Sequence, residues 1–201
     1  RDLHSFPTRR SSDLKGRQLK LVPGDSTRPI MDRVKEALFN ILGRDILEAT
    51  FLDMFAGTGS VGIEALSRGA AKAVFNDIEG RAIQTIQDNL KTTKLSEHAV
   101  IRRYDVLSLL KQKPTEHYDF IYIAPPQYKG MWLQVLKALD ANPAWIPVGT
   151  LVIVQIDPSE EEPVELKWLT PTDQRRYGNT LLWFFEGQYE ERSVRTEEKS
   201  E

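Results

Sequence analysis

Two consecutive prolines end an apolar stretch of the chain in "YDFIYIAPPQYKG", residues 118–130. The run from Phe120 to Ile123 is typical of a buried strand, and proline cannot continue its ladder of backbone hydrogen bonds. Pro125 and Pro126 therefore form either a plain strand terminator or a stiff corner that holds backbone carbonyls where a substrate must lie.

A glycine-rich stretch, "DMFAGTGSVG", carries a second set of residues that could do chemistry, Gly57, Gly59 and Gly62. Their spacing fits G-x-G-x-x-G between a predicted strand and a predicted helix, where bare backbone lets a ligand approach a helix N-terminus closely. Asp77 ends the next strand, where a carboxylate can accept hydrogen bonds from ribose hydroxyls. The pattern is compatible with NAD, FAD or S-adenosylmethionine, and also with a tight turn that binds no ligand.

Two further carboxylates favour S-adenosylmethionine. Asp53 precedes Gly57 by four positions, and a diphosphate would be repelled there whereas a cationic sulfonium would be tolerated. Asp105 follows the third predicted strand in "RYDVLSLL", a position that commonly meets the adenine amino group in methyltransferases. Asp105 also fits a helix N-cap with Val106 as the first helical residue, and both roles can hold together.

The elements that must position these residues alternate along the chain. Strands are predicted at 50–55, 72–77, 98–103, 119–124 and 149–156, and helices at 32–43, 59–70, 80–93, 106–111 and 131–140. This alternation predicts an α/β fold with right-handed βαβ units and a parallel sheet covered by helices on both faces. The stretch 166–187 reads as two strands around a Tyr-Gly-Asn turn, which predicts an antiparallel hairpin at the end of a seven-stranded, mostly parallel sheet.

Composition excludes several classes of protein. The 201 residues carry a net charge of −2, so any binding to nucleic acid requires a local basic patch. The chain has no cysteine, which excludes disulfides and thiol catalysis and suits a reducing cytoplasm. No apolar run approaches the ~20 residues of a membrane span. No spacing of side chains typical of a metal site is present, so we expect no metal.

The chain divides into four parts by composition. Residues 1–14, "RDLHSFPTRRSSDL", lack a periodic pattern and a signal-peptide core. They resemble the translated read-through of a sequencing adapter, and a natural disordered leader is the alternative. Residues 15–48 are a short, basic N-terminal extension, expected to bind substrate, and 49–187 hold the alternating elements. Residues 188–201 are charged and lack core residues, which predicts a disordered tail.

From about Lys15 to Glu186 the chain resembles the bacterial small-subunit ribosomal RNA guanine-N2 methyltransferases of the RsmD type. The matching stretches are "GRQLKLVPGDSTRPIMDRVKEALFNIL", "FLDMFAGTGSVGIEALSRGA", "FNDIEGRAIQTIQDNL", "APPQYKG" and "RRYGNTLLWFF". The glycine loop and the Pro-Pro corner occur in many methyltransferases, whereas the segment ahead of the loop is far more particular. The resemblance implies a Rossmann-like class I methyltransferase domain, S-adenosylmethionine as donor, and transfer of a methyl group to the 2-amino group of one guanine.

The resemblance also implies which positions bind the donor: Asp53, Phe55, Ala56, Gly57, Thr58, Gly59, Asp77, Ile78, Asp105 and Val106. Asp53 and the first two loop glycines would line its methionine end. Asp77 would hold the ribose, and Ile78 would pack on the adenine. Asp105 and Val106 would meet the adenine edge.

The catalytic corner implied by the resemblance is Ala124, Pro125, Pro126, Gln127 and Tyr128. A proline-locked carbonyl there can hold amine hydrogens and aim the nitrogen lone pair at the methyl carbon. The family's usual corner begins with Asp or Asn and has Tyr after the second proline, so Ala124 and Gln127 depart from it. Ala124 lacks a side-chain acceptor, and we expect the Gln127 amide to accept and the Tyr128 ring to stack on the extruded base. A site that has kept the fold and lost activity is the alternative.

A basic segment near the N-terminus is predicted to contact RNA phosphates through Lys15, Arg17, Lys20, Arg28 and Arg33. A solvated basic face is the plain alternative. The implied partner is ribosomal RNA in the assembled or assembling small subunit. Nothing in the sequence demands a dimer or a membrane, so we expect a cytoplasmic monomer.

Three other functions remain open at this point. A methyltransferase could act on another planar amine, an adenine in DNA or a glutamine amide in a protein. A dinucleotide oxidoreductase would explain the glycines but leaves Pro125 and Pro126 unexplained. A non-catalytic RNA-binding assembly factor on the same scaffold would explain Ala124.

Overall fold

A computed structural model of the protein describes residues 18–24, 30–127 and 130–190. The α-helices in these ranges are α1 Asp32–Leu42, α2 Ser60–Ser67, α3 Gly80–Thr93, α4 Val106–Leu110 and α5 Met131–Ala141. The strands are β1 Thr50–Asp53, β2 Lys72–Asn76, β3 Ala99–Arg102, β4 Phe120–Ile123, β5 Leu151–Ile156, β6 Leu169–Tyr177 and β7 Thr180–Gly187. Across the described ranges, every helix is too short or too polar to serve as a membrane span.

Several sequence predictions lie outside the described residues. They concern the leader 1–14, the cations Lys15, Arg17 and Arg28, the aromatic Tyr128, and the chain from 191 to 201.

The seven strands form one sheet in the order β3-β2-β1-β4-β5-β7-β6. Strands β1 to β5 are parallel, and β7 runs antiparallel to both β5 and β6. The predicted α/β class and the C-terminal antiparallel hairpin are confirmed. Some strands are shorter than predicted: β5 begins at Leu151 rather than at 149, because Gly149 adopts a φ of +96° that an extended strand does not allow.

The sheet changes direction at β1. From this central strand the chain moves outward through β2 and β3 on one side, and through β4 and β5 on the other. In an open parallel sheet the loops at the carboxyl ends diverge at such a point and leave a crevice. The glycine loop follows β1 and the Pro-Pro corner follows β4, so the topology brings both motifs to this crevice.

Helices cover both faces of the sheet, as predicted. On one face α1, α2 and α3 pack around β1 through buried residues such as Leu38, Ile63 and Ile86. On the other face α4 and α5 contribute Leu109 and Trp132 to a second apolar cluster. Because the central strands are buried on both faces, the sheet is a rigid base for the crevice at its edge.

The turn between β6 and β7 lies at the same edge of the sheet as the crevice. Ile156 at the carboxyl end of β5 pairs with Leu181 at the start of β7, and Leu151 pairs with Glu186 near its end. The turn at Gly178 therefore projects beyond the carboxyl ends of the parallel strands.

Residues 188–190 are ordered, although the sequence places them in a disordered tail. The Gln188 N–H donates to the carbonyl of Trp168 at 2.8 Å, and the Val148 N–H donates to the carbonyl of Tyr189 at 3.0 Å. The Tyr189 ring meets the Trp168 ring edge-on, with centroids 5.3 Å apart. The predicted boundary at 188 is thus too early, because Tyr189 supplies an aromatic contact that a charge-based prediction does not register.

Candidate active site

A cavity of about 960 Å³ opens at the carboxyl ends of β1, β2, β4 and β5. Its lining includes the predicted donor residues Asp53, Phe55, Ala56, Gly57, Thr58, Asp77, Ile78, Asp105 and Val106. Its lining also includes the predicted corner residues Ala124, Pro125, Pro126 and Gln127. The structure therefore brings most of both predicted sets to one space, although Asp53 and Gln127 are 74 positions apart along the chain.

The glycine loop is held in place by Asp77. The Gly57 N–H donates to Oδ2 of Asp77 at 2.9 Å, and the Glu79 N–H donates to Oδ1 at 2.9 Å. Gly57 has a φ of +53°, and a Cβ built on it would meet nothing within 4 Å. Since each carboxylate oxygen of Asp77 has accepted one hydrogen bond, lone pairs remain on both for a ligand hydroxyl.

Gly59 does not line the cavity, unlike the other predicted loop residues. It is buried with a φ of +78° and directly precedes α2, and a Cβ there would lie 3.3 Å from the Ile86 side chain. A Cβ on Gly62 would lie only 2.4 Å from the Phe75 ring. These two glycines therefore serve the helix start and the close packing of α2 on β2, while Gly57 faces the ligand space.

Asp53 is a buried carboxylate with an unmet hydrogen-bonding capacity. Its side chain is almost wholly inaccessible, and among the described residues its Oδ1 has no hydrogen-bond partner. Burial, and to a smaller extent the charge of Asp77, raises the pKa of Asp53 to about 7, although hydrogen bonds from the backbone of Phe55 and Gly62 act in the opposite direction. A cationic ligand group in the cavity would satisfy this carboxylate, which fits the sulfonium and ammonium of S-adenosylmethionine.

The remaining donor positions form a half-open cleft suited to a nucleoside. Ile78 is 54% exposed, Val106 is buried, and both line the cavity. The N-cap interpretation of Asp105 is confirmed, because its Oδ1 accepts the Ser108 N–H at 2.8 Å. Asp105 also lines the cavity, so the cap leaves its second oxygen available to a ligand.

Sequence reasoning missed Tyr104, which lines this cleft, and Asn76, which is buried behind it. Asn76 is fully buried, and its Nδ2 donates to the carbonyls of Met54 and Tyr104 at 3.2 and 3.1 Å. The Tyr104 N–H donates back to Oδ1 of Asn76 at 3.2 Å. Asn76 thereby ties together the loops after β1 and β3. The signal was available, since an asparagine at the end of an apolar strand is a polar group that must be satisfied.

The Pro-Pro corner lies on the cavity wall. Ala124 is half-buried and Pro125 is buried, whereas Pro126 and Gln127 are exposed. The corner follows β4 directly, next to the loop that leaves β1. The stiff-support interpretation of the prolines stays a prediction, and their position on the same cavity wall as Asp53 is compatible with it.

Two further polar residues on the cavity wall were also missed. Tyr122 on β4 is almost completely buried, and its hydroxyl donates to Oε1 of Gln155 on β5. Burial, with the negative charge of Asp53, raises the pKa of Tyr122 well above its usual value of 10. Gln155 interrupts the apolar run "LVIVQI", and that interruption is the signal that could have identified it.

The two described cations of the basic segment differ in their surroundings. Nζ of Lys20 pairs with Asp88 on α3 at 2.9 Å, and the Lys20 N–H donates to the Asn89 side chain at 2.8 Å. These bonds hold residues 18–24 on α3, and Val22, Pro23 and Gly24 reach the cavity wall. Arg33 is exposed on α1 and lies close to the hairpin turn instead, where a Cβ on Gly178 would be 3.1 Å from its Nη2.

The hairpin carries additional arginines that the sequence reasoning did not select. Arg175 and Arg176 are exposed near the end of β6. Nε of Arg175 pairs with Asp173 at 2.8 Å, and Nε of Arg176 donates to the carbonyl of Gly178 at 3.2 Å. Within the described ranges neither Arg33 nor Arg176 has a carboxylate partner. Across the same ranges, no group of three or more His, Asp or Glu side chains could hold a metal ion.

Comparisons with known proteins agree with this geometry. The family model described as "Conserved hypothetical protein 95" matches residues 11–186. The chain is 38% identical to "Putative rRNA methyltransferase YlbH" of Bacillus subtilis over 172 residues, which cover 85% of this chain and 93% of that protein. It is 36% identical to "Ribosomal RNA small subunit methyltransferase D" of Escherichia coli K12 over 141 residues, 70% of each chain.

A solved structure shows the same relationship. "Putative methyltransferase yhhF from Escherichia coli" superposes with a TM-score of 0.74 at 31% identity, over 87% of this chain and 94% of that one. These likenesses confirm the predicted fold and the predicted S-adenosylmethionine-dependent methyltransferase. The chain belongs to the "Conserved hypothetical protein 95" family, the RsmD-type methyltransferases that its sequence resembles.

Proposed function

We propose that this protein transfers a methyl group from S-adenosylmethionine to the exocyclic 2-amino group of a guanine in small-subunit ribosomal RNA. The observation that carries the proposal is one cavity lined both by the Pro125-Pro126 corner and by the buried carboxylate of Asp53, whose Oδ1 has no hydrogen-bond partner in the part of the chain that the structure describes. The corner suits a planar amine and the carboxylate suits a cationic donor. The names of the relatives support ribosomal RNA as the substrate.

In this proposal the loop after β1 and the end of β2 hold the donor. Asp53 neutralises its cationic end, and Asp77 accepts from the ribose while it fixes Gly57. Ile78 packs on the adenine, and Asp105 and Val106 meet its edge. When bound, S-adenosylmethionine supplies an electrophilic methyl group on a sulfonium centre.

The corner orients the acceptor. The lone pair of a guanine amine is delocalised into the ring, which makes the amine a poor nucleophile. Carbonyls of Ala124 and Pro125 that accept its hydrogens direct the lone pair out of the ring plane toward the methyl group, and they stabilise the positive charge that develops on nitrogen. Gln127 lies at the mouth of the cavity, and Tyr128, outside the described residues, supplies the stacking face for the extruded base.

Arginines at the carboxyl edge of the sheet contact the RNA backbone in this proposal. Arg33 on α1 and Arg175 and Arg176 on the hairpin are exposed at this edge. Guanidinium groups suit phosphate because their fork of donors matches its oxygens. Lys15, Arg17 and Arg28, which lie outside the described residues, are expected to add phosphate contacts, and Lys20 pairs with Asp88 on α3.

The substrate in this proposal is the assembled or assembling small subunit, and the protein acts on it in the cytoplasm as a monomer. A monomer suffices because one chain supplies both the donor cavity and the corner. Methylation of protein-free 16S RNA at the same rate as of the subunit would contradict the choice of substrate.

The test is transfer of tritium from labelled S-adenosylmethionine to small subunits isolated from cells that lack this modification. We expect label in RNA after the ribosomal proteins have been removed, at one guanine that nuclease digestion identifies as N2-methylguanine. DNA with unmethylated adenines and deproteinised RNA are assayed in parallel. Label in protein or DNA rather than in RNA would overturn the proposal.

A non-catalytic RNA-binding assembly factor is the second candidate, because Ala124 provides no side-chain acceptor at the corner. Such a factor would bind the small subunit without transferring label, even with saturating donor. Binding without turnover in the tritium assay would favour this candidate over the enzyme.

A further inference from the structure

Ala124 has no side-chain acceptor, and the nearest candidate for this role lies on the neighbouring strand β5. Ile123 at the end of β4 pairs with Val154 on the adjacent parallel strand β5, so Ala124, the residue that follows β4, and Gln155 on β5 occupy the next positions in this register. Side chains in register on adjacent strands project to the same face. Tyr122, two residues before Ala124 and therefore on that face, reaches Gln155 with its hydroxyl. The Gln155 carboxamide thus lies beside the small side chain of Ala124.

The carboxamide is held in a fixed orientation. The Tyr122 hydroxyl donates to Oε1 of Gln155, and the buried phenol remains protonated because its pKa lies well above the usual value. An amide oxygen has two lone pairs, and this hydrogen bond uses one of them. Gln155 is half-buried and lines the same cavity as Pro125. A pre-oriented acceptor with a remaining lone pair therefore faces the space that the amine must enter.

We propose that Gln155 supplies the side-chain acceptor that holds one hydrogen of the methyl-accepting amine, in the place that Ala124 leaves empty. This inference rests on the proposed function, since it concerns the same amine. The nitrogen lone pair becomes the new N–C bond as the S–C bond of the donor breaks. A carboxamide is not a base at neutral pH, so the proton that the methylated amine then loses goes to solvent water.

Gln155 fits this role better than Gln127. Gln127 is exposed beyond the second proline, and no described residue fixes its side chain. Immobilising such a side chain in the transition state costs rotamer entropy, whereas Gln155 is already held by Tyr122. The sequence alone favoured Gln127 because it is adjacent to the prolines, while Gln155 becomes a neighbour of Ala124 only through the pairing of β4 with β5.

The test compares two substitutions at one position. Gln155→Met keeps the length of the side chain and removes its acceptor, and Gln155→Glu keeps an acceptor oxygen. We expect Gln155→Met to lower kcat about 100-fold with little change in KM, as for the loss of one oriented hydrogen bond in a transition state. We expect Gln155→Glu to stay within about tenfold of the wild type. Gln134→Met, an exposed position on α5 outside the cavity, is the matched control and should leave kcat unchanged.

Two further measurements distinguish the proposed role of Gln155 from a purely structural one. The affinity for S-adenosylhomocysteine by calorimetry should be the same in Gln155→Met as in the wild type, and the melting temperature should fall only by the few degrees expected when the buried Tyr122 hydroxyl loses its acceptor. A second substitution, Ala124→Asn or separately Ala124→Asp, should restore kcat at least tenfold in the Gln155→Met background, because it returns an acceptor to the adjacent strand. Double variants that stay as slow as Gln155→Met would contradict the inference.

Failure of this inference and failure of the proposed function give different results. If the wild type methylates the small subunit and Gln155→Met does so with the same kcat, the role of Gln155 is overturned and the function stands. If Gln155→Met is slow only because it has lost donor binding or stability, the role is also overturned. If the wild type itself transfers no methyl group to RNA, the proposed function fails and the inference fails with it.

Discussion

An aspartate lies at each end of strand β1, Asp53 as its last residue and Asp119 beside its first residue at the start of β4, and the two have opposite surroundings. At the amino end Oδ2 of Asp119 accepts the Thr50 N–H at 2.7 Å, and its Oδ1 lies 3.4 Å from Nε2 of His117. At the carboxyl end Asp53 is buried, and its Oδ1 has no partner among the described residues. Both carboxylates lie at a strand terminus of the same sheet, Asp53 at the end of β1 and Asp119 just before β4, yet only Asp119 has hydrogen-bond or ion-pair partners for both oxygens among the described residues.

The difference extends along the two edges of the sheet. At the amino edge the Thr150 hydroxyl donates to the carbonyl of Tyr118 at 2.8 Å, so this buried polar group is also satisfied internally. At the carboxyl edge Asp53 retains an unmet acceptor beside a cavity, at a free-energy cost that folding alone would not select. The amino edge therefore serves stability, while the carboxyl edge keeps polar capacity for a ligand.

The largest expected effect comes from replacing each of these two aspartates with asparagine. Asp53→Asn should weaken S-adenosylmethionine binding roughly 10- to 100-fold, because the neutral amide cannot pair with a cation. It should also raise the free energy of unfolding at pH 8 without donor by roughly 1–4 kcal/mol, since a buried charge disappears. Asp119→Asn should lower the free energy of unfolding by about 1 kcal/mol and leave donor binding unchanged. Calorimetry and urea unfolding measure the two quantities.

Measuring both variants side by side gives a clear result that would contradict the contrast between the two edges of the sheet. If Asp53→Asn were destabilised by as much as Asp119→Asn and bound the donor normally, the carboxyl edge would be structural like the amino edge. The contrast between the two aspartates would then reflect burial alone.

The sequence was sufficient for the scaffold and for the approximate position of the site. Alternating strand and helix patterns predict the order of elements, and the carboxyl ends of parallel strands place the glycine loop and the prolines together. Local signals also sufficed for Asp105, since an N-cap depends only on the next three residues. These features depend on short-range or periodic properties of the chain.

What the sequence could not provide depends on long-range pairing. Gln155 lies about thirty residues after Ala124, and only the register of β4 with β5 makes them neighbours. Arg33 and Gly178 are likewise brought together by the position of the hairpin turn. The unpartnered state of Asp53 depends on every atom packed around it, and no pattern of residue types encodes that.

Gly57 in the loop before α2 and Gly62 within α2 offer the second comparison. Gly62→Ala should lower the free energy of unfolding by about 1–3 kcal/mol, because its Cβ would lie 2.4 Å from the Phe75 ring. Gly57→Ala should cost about 1 kcal/mol through its φ of +53° and should mainly weaken donor binding, since its Cβ points into open space on the cavity wall. Thermal unfolding and donor titration separate the two. Equal effects of both variants on binding would show that the glycine loop acts as one unit.

The pH dependence of donor binding is a further test of the role of Asp53. Its pKa is about 7 in the folded chain and 3.8 for an unperturbed aspartate, so between these values the folded state holds a proton that the unfolded state has lost. Stability without donor should therefore fall as pH rises from about 4 to about 7 and level off above that. A cationic donor favours the ionised form, so binding at pH 6 should release close to one proton, and binding at pH 8.5 should release almost none.

Calorimetry in two buffers of different ionisation enthalpy measures this proton release. Asp53→Asn is the control and should abolish it. Release of a proton at pH 6 by the Asn variant would assign the linkage to a group other than Asp53.

The smallest expected effect tests whether the carboxyl edge also contacts RNA. Each phosphate contact contributes about 0.7 to the slope of log K against log salt concentration for single-stranded RNA. Arg176→Ala and Arg33→Ala should each reduce the slope for small-subunit binding by about this amount, because neither guanidinium has a carboxylate partner among the described residues. Lys113→Ala removes an exposed charge from the loop that leads to the amino end of β4 and should leave the slope unchanged. If the slope fell equally in all three variants, the cations would act through net charge, and the RNA surface would not be confined to the edge that holds the cavity.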